Sequence, residues 1–122
     1  DFCKINPHLV RRQCPMNTIQ EMLQSVMGYS HATVLDFNMG YLSMPLSKAA
    51  RKILTVVFPF GFYECLVLPQ GIAPATDIFQ ARMVALFAPM MDEKPTPYLD
   101  DILHTEGENL HQHVKILREI LR

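Results

Sequence analysis

The sequence contains no long hydrophobic run, few cysteines and almost no net charge. No stretch reaches the roughly 18 consecutive apolar residues of a membrane-spanning helix, so we expect no membrane partner. The three cysteines, Cys3, Cys14 and Cys65, show no paired metal-ligand spacing. We therefore predict reduced thiols in an intracellular protein. The chain opens without Met and without a signal peptide, which we interpret as a piece of a longer protein.

The small net charge limits the partners that the chain can bind by itself. The formal net charge is −1 at pH 7, which is a poor electrostatic match to a nucleic-acid backbone. If the chain contacts nucleic acid, most of the basic residues that hold it must lie elsewhere. What the sequence does contain is 49% hydrophobic residues over 122 positions, enough for one globular domain with a core.

The first part of the chain predicts one helix and two extended segments. Thr18 and Glu21 form a capping-box pattern, which predicts a helix that Gly28 ends. The β-prone segment 32–37 predicts a largely buried strand, and the segment 41–46 predicts further extended chain. No internal repeat and no linker between domains is visible.

The second part predicts a β-hairpin and two helices. Segments 53–58 and 62–67 are β-prone and predict a hairpin with a three-residue loop between them. A helix that Pro89 ends or kinks follows them. Its predicted apolar face consists of Phe79, Met83, Leu86 and Met90. A second capping box, Thr105 with Glu108, predicts a last helix. The apolar stripe of this helix is Leu110, Val114, Leu117 and Leu121.

The segment Tyr98-Leu99-Asp100-Asp101 places two carboxylates at the turn of a short hairpin. An isolated Asp-Asp pair is more often a solvated turn, because Asp hydrogen-bonds readily to its own backbone. A third carboxylate, Asp36, follows a β-prone strand and is costly there unless it is paired or metal-bound. If the two strands are antiparallel neighbours, the three carboxylates meet on one sheet surface. Two Mg²⁺ ions could then be held there for a phosphoryl displacement.

Four segments resemble the polymerase motifs of reverse transcriptases, and they occur in the same order. The segment 34–41 is similar to the first motif, 68–71 followed by 77–80 to the second, and 98–101 to the third. The opening segment 1–6 resembles a strand of the family's fingers. The resemblance spans nearly all 122 residues, and the most similar type is the gypsy-like class of LTR retrotransposon or retroviral-like Pol polyproteins.

The resemblance implies a fold and an activity. The implied fold is α+β, with an antiparallel palm sheet, helices packed on one face and part of the fingers. Residues 1–122 would form a fingers and palm fragment without the thumb or the ribonuclease H domain, so the fragment alone is not expected to polymerise. The implied activity is RNA-directed DNA polymerisation, in which deoxynucleoside triphosphates extend a primer on an RNA or DNA template. The implied location is the cytoplasm, inside the virus-like particle of a retroelement, or the nucleus.

The resemblance also implies a role for each matching residue. The implied ligands of two Mg²⁺ ions, with Mn²⁺ as a substitute, are Asp36, Asp100 and Asp101. The implied contacts of the incoming nucleotide are Phe37, Tyr41, Gln70 and Gly71. Among these, Tyr41 would exclude a 2′-hydroxyl by its bulk. Tyr98 and Leu99 would lie near the primer end.

The sequence also departs from the family. Cys3 stands where the family usually has Arg, and Thr76 stands where it usually has Pro. The strand before Tyr98, normally apolar, is Lys94-Pro95-Thr96-Pro97, and prolines remove ladder donors, so we expect a weakened hairpin. Two other hypotheses therefore stay open: a catalytically inactive retroelement remnant that acts as a folded interaction module, and an unrelated metal protein with an acidic turn.

Other polar residues have ordinary interpretations. His111 and His113 are two positions apart on a predicted helix, so they do not share a face, and we expect both to be solvated rather than metal ligands. Arg51 and Lys52 either contact the template or lie on the surface.

Overall fold

The computed structural model describes residues 2–93, 95–105 and 109–122. The chain divides into two compact units. The first consists of Asp1–Gln13 and Met39–Phe79, and the second of Cys14–Asn38 and Gln80–Arg122. Since the chain passes between the units three times, no single linker separates them, and we describe each unit by itself.

The first unit is built around a two-stranded antiparallel sheet. Helix α2 (Lys48–Ile53) leads into β2 (Thr55–Phe58), which pairs with β3 (Gly61–Glu64). Short 3₁₀ helices lie at Asn6–His8 and Gly40–Ser43. The buried core of this unit is formed by Leu54, Leu68, Ile72 and Ala75.

Two predictions for the first unit are wrong. Phe58 pairs with Gly61, so the hairpin loop has two residues and not three. Residues 41–46 are not one extended segment, because Met39 adopts a left-handed φ of 54° and starts the 3₁₀ turn. The hydroxyl of Ser43 closes this turn by donating to the Gly40 carbonyl at 2.6 Å.

The second unit is built around a three-stranded antiparallel sheet with the strand order β1-β5-β4. The strands are β1 (Thr33–Asp36), β4 (Thr96–Tyr98) and β5 (Asp101–His104). Strand β1 is not largely buried, as the sequence had indicated, because successive side chains point to opposite faces of the sheet and those on one face are exposed. Val34, for example, is 63% exposed.

Helix α1 (Ile19–Val26) of the second unit begins and ends as predicted. Thr18 Oγ1 accepts from the Glu21 amide at 3.2 Å, and the Glu21 carboxylate accepts from the Thr18 amide at 2.6 Å. This reciprocal pair is the predicted capping box. Gly28, with a φ of 100°, follows the end of the helix.

Helix α3 (Ala75–Phe87) begins in the first unit and ends in the second. Pro89 follows its end, as predicted, within a 3₁₀ segment at Ala88–Glu93. The buried positions of the helix include Phe79, Met83 and Phe87, whereas the predicted face member Leu86 is 54% exposed.

Helix α4 (Leu110–Ile120) begins later than the Thr105 capping box predicts. Its N-cap is Asn109, whose side chain accepts from the Gln112 amide, and Glu108 lies outside the described residues. Leu110 and Leu121 of the predicted stripe are exposed, because the buried face of the helix consists of His113 and Ile116.

The prediction that His113 is solvated is wrong. This side chain is 3% exposed, and its Nε2 hydrogen-bonds with the Thr33 hydroxyl at 2.8 Å. Its ring stacks on that of His104 with centroids 4.5 Å apart. His111 is exposed, as expected.

Two further expectations concern the whole of the described chain. None of the helices in the described residues is long and apolar enough to span a membrane. All three cysteines lie in the described part, and no disulfide joins them.

Candidate catalytic site

Three acidic residues meet at one end of the β1–β5 strand pair. In the antiparallel register, Asp36 lies directly opposite Asp101. The next residue pair continues the ladder, since the Phe37 amide donates to the Asp100 carbonyl at 2.6 Å. Residues more than sixty positions apart are therefore adjacent, as the sequence analysis predicted for the three carboxylates.

The electrostatics of this end of the sheet are dominated by like charge. Burial raises the pKa of Asp100 above its usual range, and the negative charges of Asp36 and then Asp101 raise it further. The Oδ1 atom of Asp100 is buried and has no hydrogen-bond partner among the described residues. A cation at this position would neutralise the repulsion and satisfy that oxygen.

The donor chemistry suits a hard divalent cation. Carboxylate oxygens are the ligands that Mg²⁺ prefers, and the residues at this end offer three carboxylates. However, within residues 2–93, 95–105 and 109–122 no three His, Cys, Asp or Glu side chains form a ready ligand group for a metal ion. The strand register thus brings the residues together, while the three described side chains do not form a ready metal-ligand group.

The turn that carries the carboxylates is tight and strained. Tyr98 pairs with Asp101, so Leu99 and Asp100 form a two-residue hairpin loop. Leu99 has a φ of 53°, which is rare for a bulky residue. The left-handed conformation costs about 1–2 kcal/mol for a residue with a Cβ. The surrounding contacts must therefore hold the loop in place. Tyr98 and Leu99 are both half-buried at this loop.

The prolines before Tyr98 do not prevent strand β4 from forming. Pro97 pairs with Ile102 in the register of β4 with β5, on an edge of the sheet. Its carbonyl oxygen accepts a hydrogen bond from the Gln80 side chain at 2.9 Å, away from β5. The N and C=O of one extended residue point to the same side, so an N–H at position 97 would not join the β4–β5 ladder. The expected weakening from Pro97 is therefore avoided.

Gln80 is a residue of this site that the sequence analysis did not single out. It is 2% exposed, and its Oε1 also accepts from the Leu99 amide at 2.9 Å. The available signal was its position, because Gln80 lies three residues before Met83 and seven before Phe87 on the buried side of α3. A polar side chain at such a position needs hydrogen-bond partners.

Three of the predicted nucleotide-contacting residues belong to the first unit. Tyr41 is half-buried and stacks on Phe79, with ring centroids 4.6 Å apart and an interplanar angle of 20°. This stacking fixes the ring plane of Tyr41. Gln70 and Gly71 are exposed, whereas Phe37 belongs to the second unit, where its amide binds Asp100.

The turn at Gln70 and Gly71 is held by a side chain from the start of the chain. Gly71 has a φ of 93°, a conformation that favours glycine. The Asn6 amide donates to the Gly71 carbonyl at 3.0 Å and accepts from the Ala73 amide at 2.8 Å. The segment around Asn6 contains turns and a 3₁₀ helix rather than the family's fingers strand, and Asp1 lies outside the described residues.

A bidentate ion pair supports the helix that follows this turn. Arg11 Nε lies 2.7 Å from Asp77 Oδ2, and Arg11 Nη2 lies 3.2 Å from Oδ1. The hydrogen bond to Asp77 and then its charge raise the pKa of Arg11. Asp77 is 5% exposed, in the first turn of α3, where a negative charge is favourable.

An antiparallel α+β fold with acidic residues at a strand end and in the adjacent hairpin is typical of a polymerase palm. Residues 3–122 match the family model described as reverse transcriptase (RNA-dependent DNA polymerase). The chain therefore belongs to the reverse transcriptase family.

Curated relatives point to retrotransposon polyproteins. The chain is 28% identical over 123 residues to the transposon Tf2-3 polyprotein of Schizosaccharomyces pombe, and 27% identical to the Tf2-7 polyprotein of the same organism. Each alignment covers 100% of this chain and 9% of the relative. The chain thus spans about a tenth of the length of these relatives.

Solved structures confirm the fold. The foamy viral protease-reverse transcriptase in complex with an RNA/DNA hybrid matches with a TM-score of 0.85 and 21% identity. The alignment covers 98% of this chain and 16% of that one. The dRH form of the same protein with double-stranded DNA matches with a TM-score of 0.87 and 21% identity, over 98% of this chain and 21% of that one.

Proposed function

We propose that these residues form the fingers and palm part of an RNA-directed DNA polymerase. The observation that supports this most is the register of Asp36 opposite Asp101, with Asp100 beside them in the hairpin loop. Together with membership of the reverse transcriptase family, this favours an acidic polymerase centre over a solvated turn.

Asp36, Asp100 and Asp101 are the residues that we propose to hold the divalent cations. Mg²⁺ bound there would stabilise the charge that develops on the attacking and leaving oxygens of nucleotidyl transfer. The buried Oδ1 of Asp100 and the charge repulsion that raises its pKa both favour cation binding. Tyr98 and Leu99, next to these carboxylates in the hairpin, are proposed to lie near the primer end.

The proposed substrate contacts follow the family motifs. Phe37, Tyr41, Gln70 and Gly71 would contact a deoxynucleoside triphosphate, and the ring of Tyr41, fixed by Phe79, would exclude the 2′-hydroxyl of a ribonucleotide. The template would be RNA or DNA with a primer. The thumb and the ribonuclease H domain would come from other parts of the polyprotein. We also propose an intracellular location, which suits a chain whose cysteines form no disulfide.

Primer extension tests the proposal, in the complete protein in which these 122 residues occur. The wild type should extend a DNA primer on an RNA template with deoxynucleotides and Mg²⁺. Asp100→Asn and Asp101→Asn should each abolish extension, because they remove a metal ligand while keeping the side-chain size. Glu64→Gln, an exposed carboxylate on β3, should retain full activity as the matched control.

The same variants separate the enzyme from an inactive interaction module. If the wild type folds and does not extend primers under any of these conditions, the remnant hypothesis replaces the polymerase. If extension occurs and Asp100→Asn leaves it unchanged, the assignment of the metal ligands is wrong.

A further inference from the structure

The Gln80 side chain contacts the outer side of the hairpin that carries the proposed catalytic carboxylates. The Gln80 amide Nε2 donates to the Pro97 carbonyl, and Oε1 accepts from the Leu99 amide, each at 2.9 Å. Both contacted groups belong to the backbone on either side of Tyr98. Gln80 itself is 2% exposed, so neither bond competes with bulk water.

This pattern is that of a neighbouring strand. A residue in a parallel adjacent strand donates to one carbonyl and accepts from the amide two residues further on. The Gln80 side chain does both at the outer edge of β4, where the sheet order β1-β5-β4 provides no further strand in the described residues. The primary amide of Gln80 supplies a donor and an acceptor at once, on its nitrogen and its oxygen.

Packing alone does not fix the outer side of β4. A cavity of about 380 Å³ borders it, with Pro95, Thr96 and Pro97 on one side and Val84 and Phe87 of α3 on the other. Leu99 meanwhile holds an unfavourable positive φ at the loop. The hydrogen bond to the Leu99 amide therefore ties the strained residue to helix α3.

We propose that Gln80 is a positioning residue of the polymerase site. Its side-chain amide fixes the backbone of Pro97 and Leu99, and thereby keeps Asp100 and Asp101 at the end of the sheet opposite Asp36. The predicted effect of Gln80 on catalysis rests on the proposed function. Its predicted effect on the structure of the hairpin does not require the protein to be active.

The test compares two substitutions with a control on the same helix, in the complete protein. Gln80→Met has a similar length and removes both hydrogen bonds, whereas Gln80→Glu keeps an acceptor for the Leu99 amide whether its carboxyl group is ionised or protonated. Met83→Ala, at a buried position of α3 that has no hydrogen bond to the hairpin, controls for general loss of stability.

The first readout is hydrogen exchange of the Leu99 amide in metal-free protein. We expect exchange to be at least about tenfold faster in Gln80→Met and little changed in Gln80→Glu, because only the second variant keeps the acceptor. The second readout is kinetic. We expect kcat to fall about 10–100-fold in Gln80→Met, while the KM for the deoxynucleotide changes little.

The outcomes separate the two proposals. Unchanged Leu99 exchange in Gln80→Met overturns the positioning role, and so does an equal loss of kcat in Met83→Ala at the same folded fraction. If the wild type does not extend primers, the proposed function fails, and the exchange result alone decides whether Gln80 holds the hairpin.

Discussion

Replacing Asp36 by Asn should stabilise the metal-free protein. Asp36 lies directly opposite Asp101 in the strand register, and like charges at such positions are destabilising by about 0.2–1 kcal/mol. Asn has nearly the same size, so the substitution removes the charge and leaves the packing in place. For a domain of this size, that energy corresponds to a rise in Tm of about 1–4 °C.

The same substitution should weaken the response to metal. A ligand at 100 times its Kd stabilises the folded state by about 2.7 kcal/mol, so saturating Mn²⁺ should raise the Tm of the wild type well above that of the metal-free protein. Asp36→Asn should gain much less, because one proposed ligand is gone. Compared with the wild type, Asp36→Asn should therefore have a higher Tm without metal and a smaller increase in Tm with Mn²⁺.

The assay is thermal unfolding followed by circular dichroism, in a chelator and then across a Mn²⁺ titration. Glu64→Gln serves as the matched control, because Glu64 pairs with Thr55 and has no carboxylate opposite it. A lower Tm for Asp36→Asn in the chelator would refute the argument from charge repulsion. An equal gain with Mn²⁺ in both proteins would refute the assignment of Asp36 as a ligand.

Two further predictions concern local structure. Gly71→Ala should destabilise the protein by about 1–2 kcal/mol, because Gly71 has a φ of 93°, which strains a residue with a Cβ. The added Cβ itself would meet no clash, since it would lie 3.8 Å from Phe2 Cδ2. Urea unfolding measures this loss, and an unchanged midpoint would contradict the strain argument. The Glu21 pKa is lowered by its hydrogen bonds to Thr18, so its stabilisation is present above the ordinary glutamate pKa and is lost as the pH falls through the lowered value. Glu21→Gln should therefore flatten the pH dependence of the urea midpoint below the ordinary glutamate pKa, and an identical pH profile for both proteins would count against the cap.

Local signals predicted the elements that depend on neighbouring residues. The capping box at Thr18 needs only the residue three positions later, so the sequence defines the start of α1. The meeting of Asp36 with the hairpin carboxylates was predicted on the condition that the two strands are antiparallel neighbours, and the strand register shows that they are. The roles of the predicted site residues remain proposals.

Features that depend on distant partners were not predictable in the same way. Gln80 and His113 are polar residues on buried helix faces, and their partners lie far away in the sequence. Such residues are expected on the surface from the sequence, because most polar side chains are exposed. Tyr41 was predicted in an extended segment but lies in a 3₁₀ helix, because Met39 adopts a left-handed conformation that turns the chain just before it.

The strand register also determines the order in which the protein can assemble during synthesis. Phe58 and Gly61 of the β2–β3 hairpin are three positions apart, so they can pair soon after both leave the ribosome. Asp36 and Asp101 are 65 positions apart, which corresponds to about 3–13 s of translation. Throughout that interval β1 must wait for β5, the strand it pairs with in the described part of the chain. The acidic centre therefore forms later during synthesis than the β2–β3 hairpin.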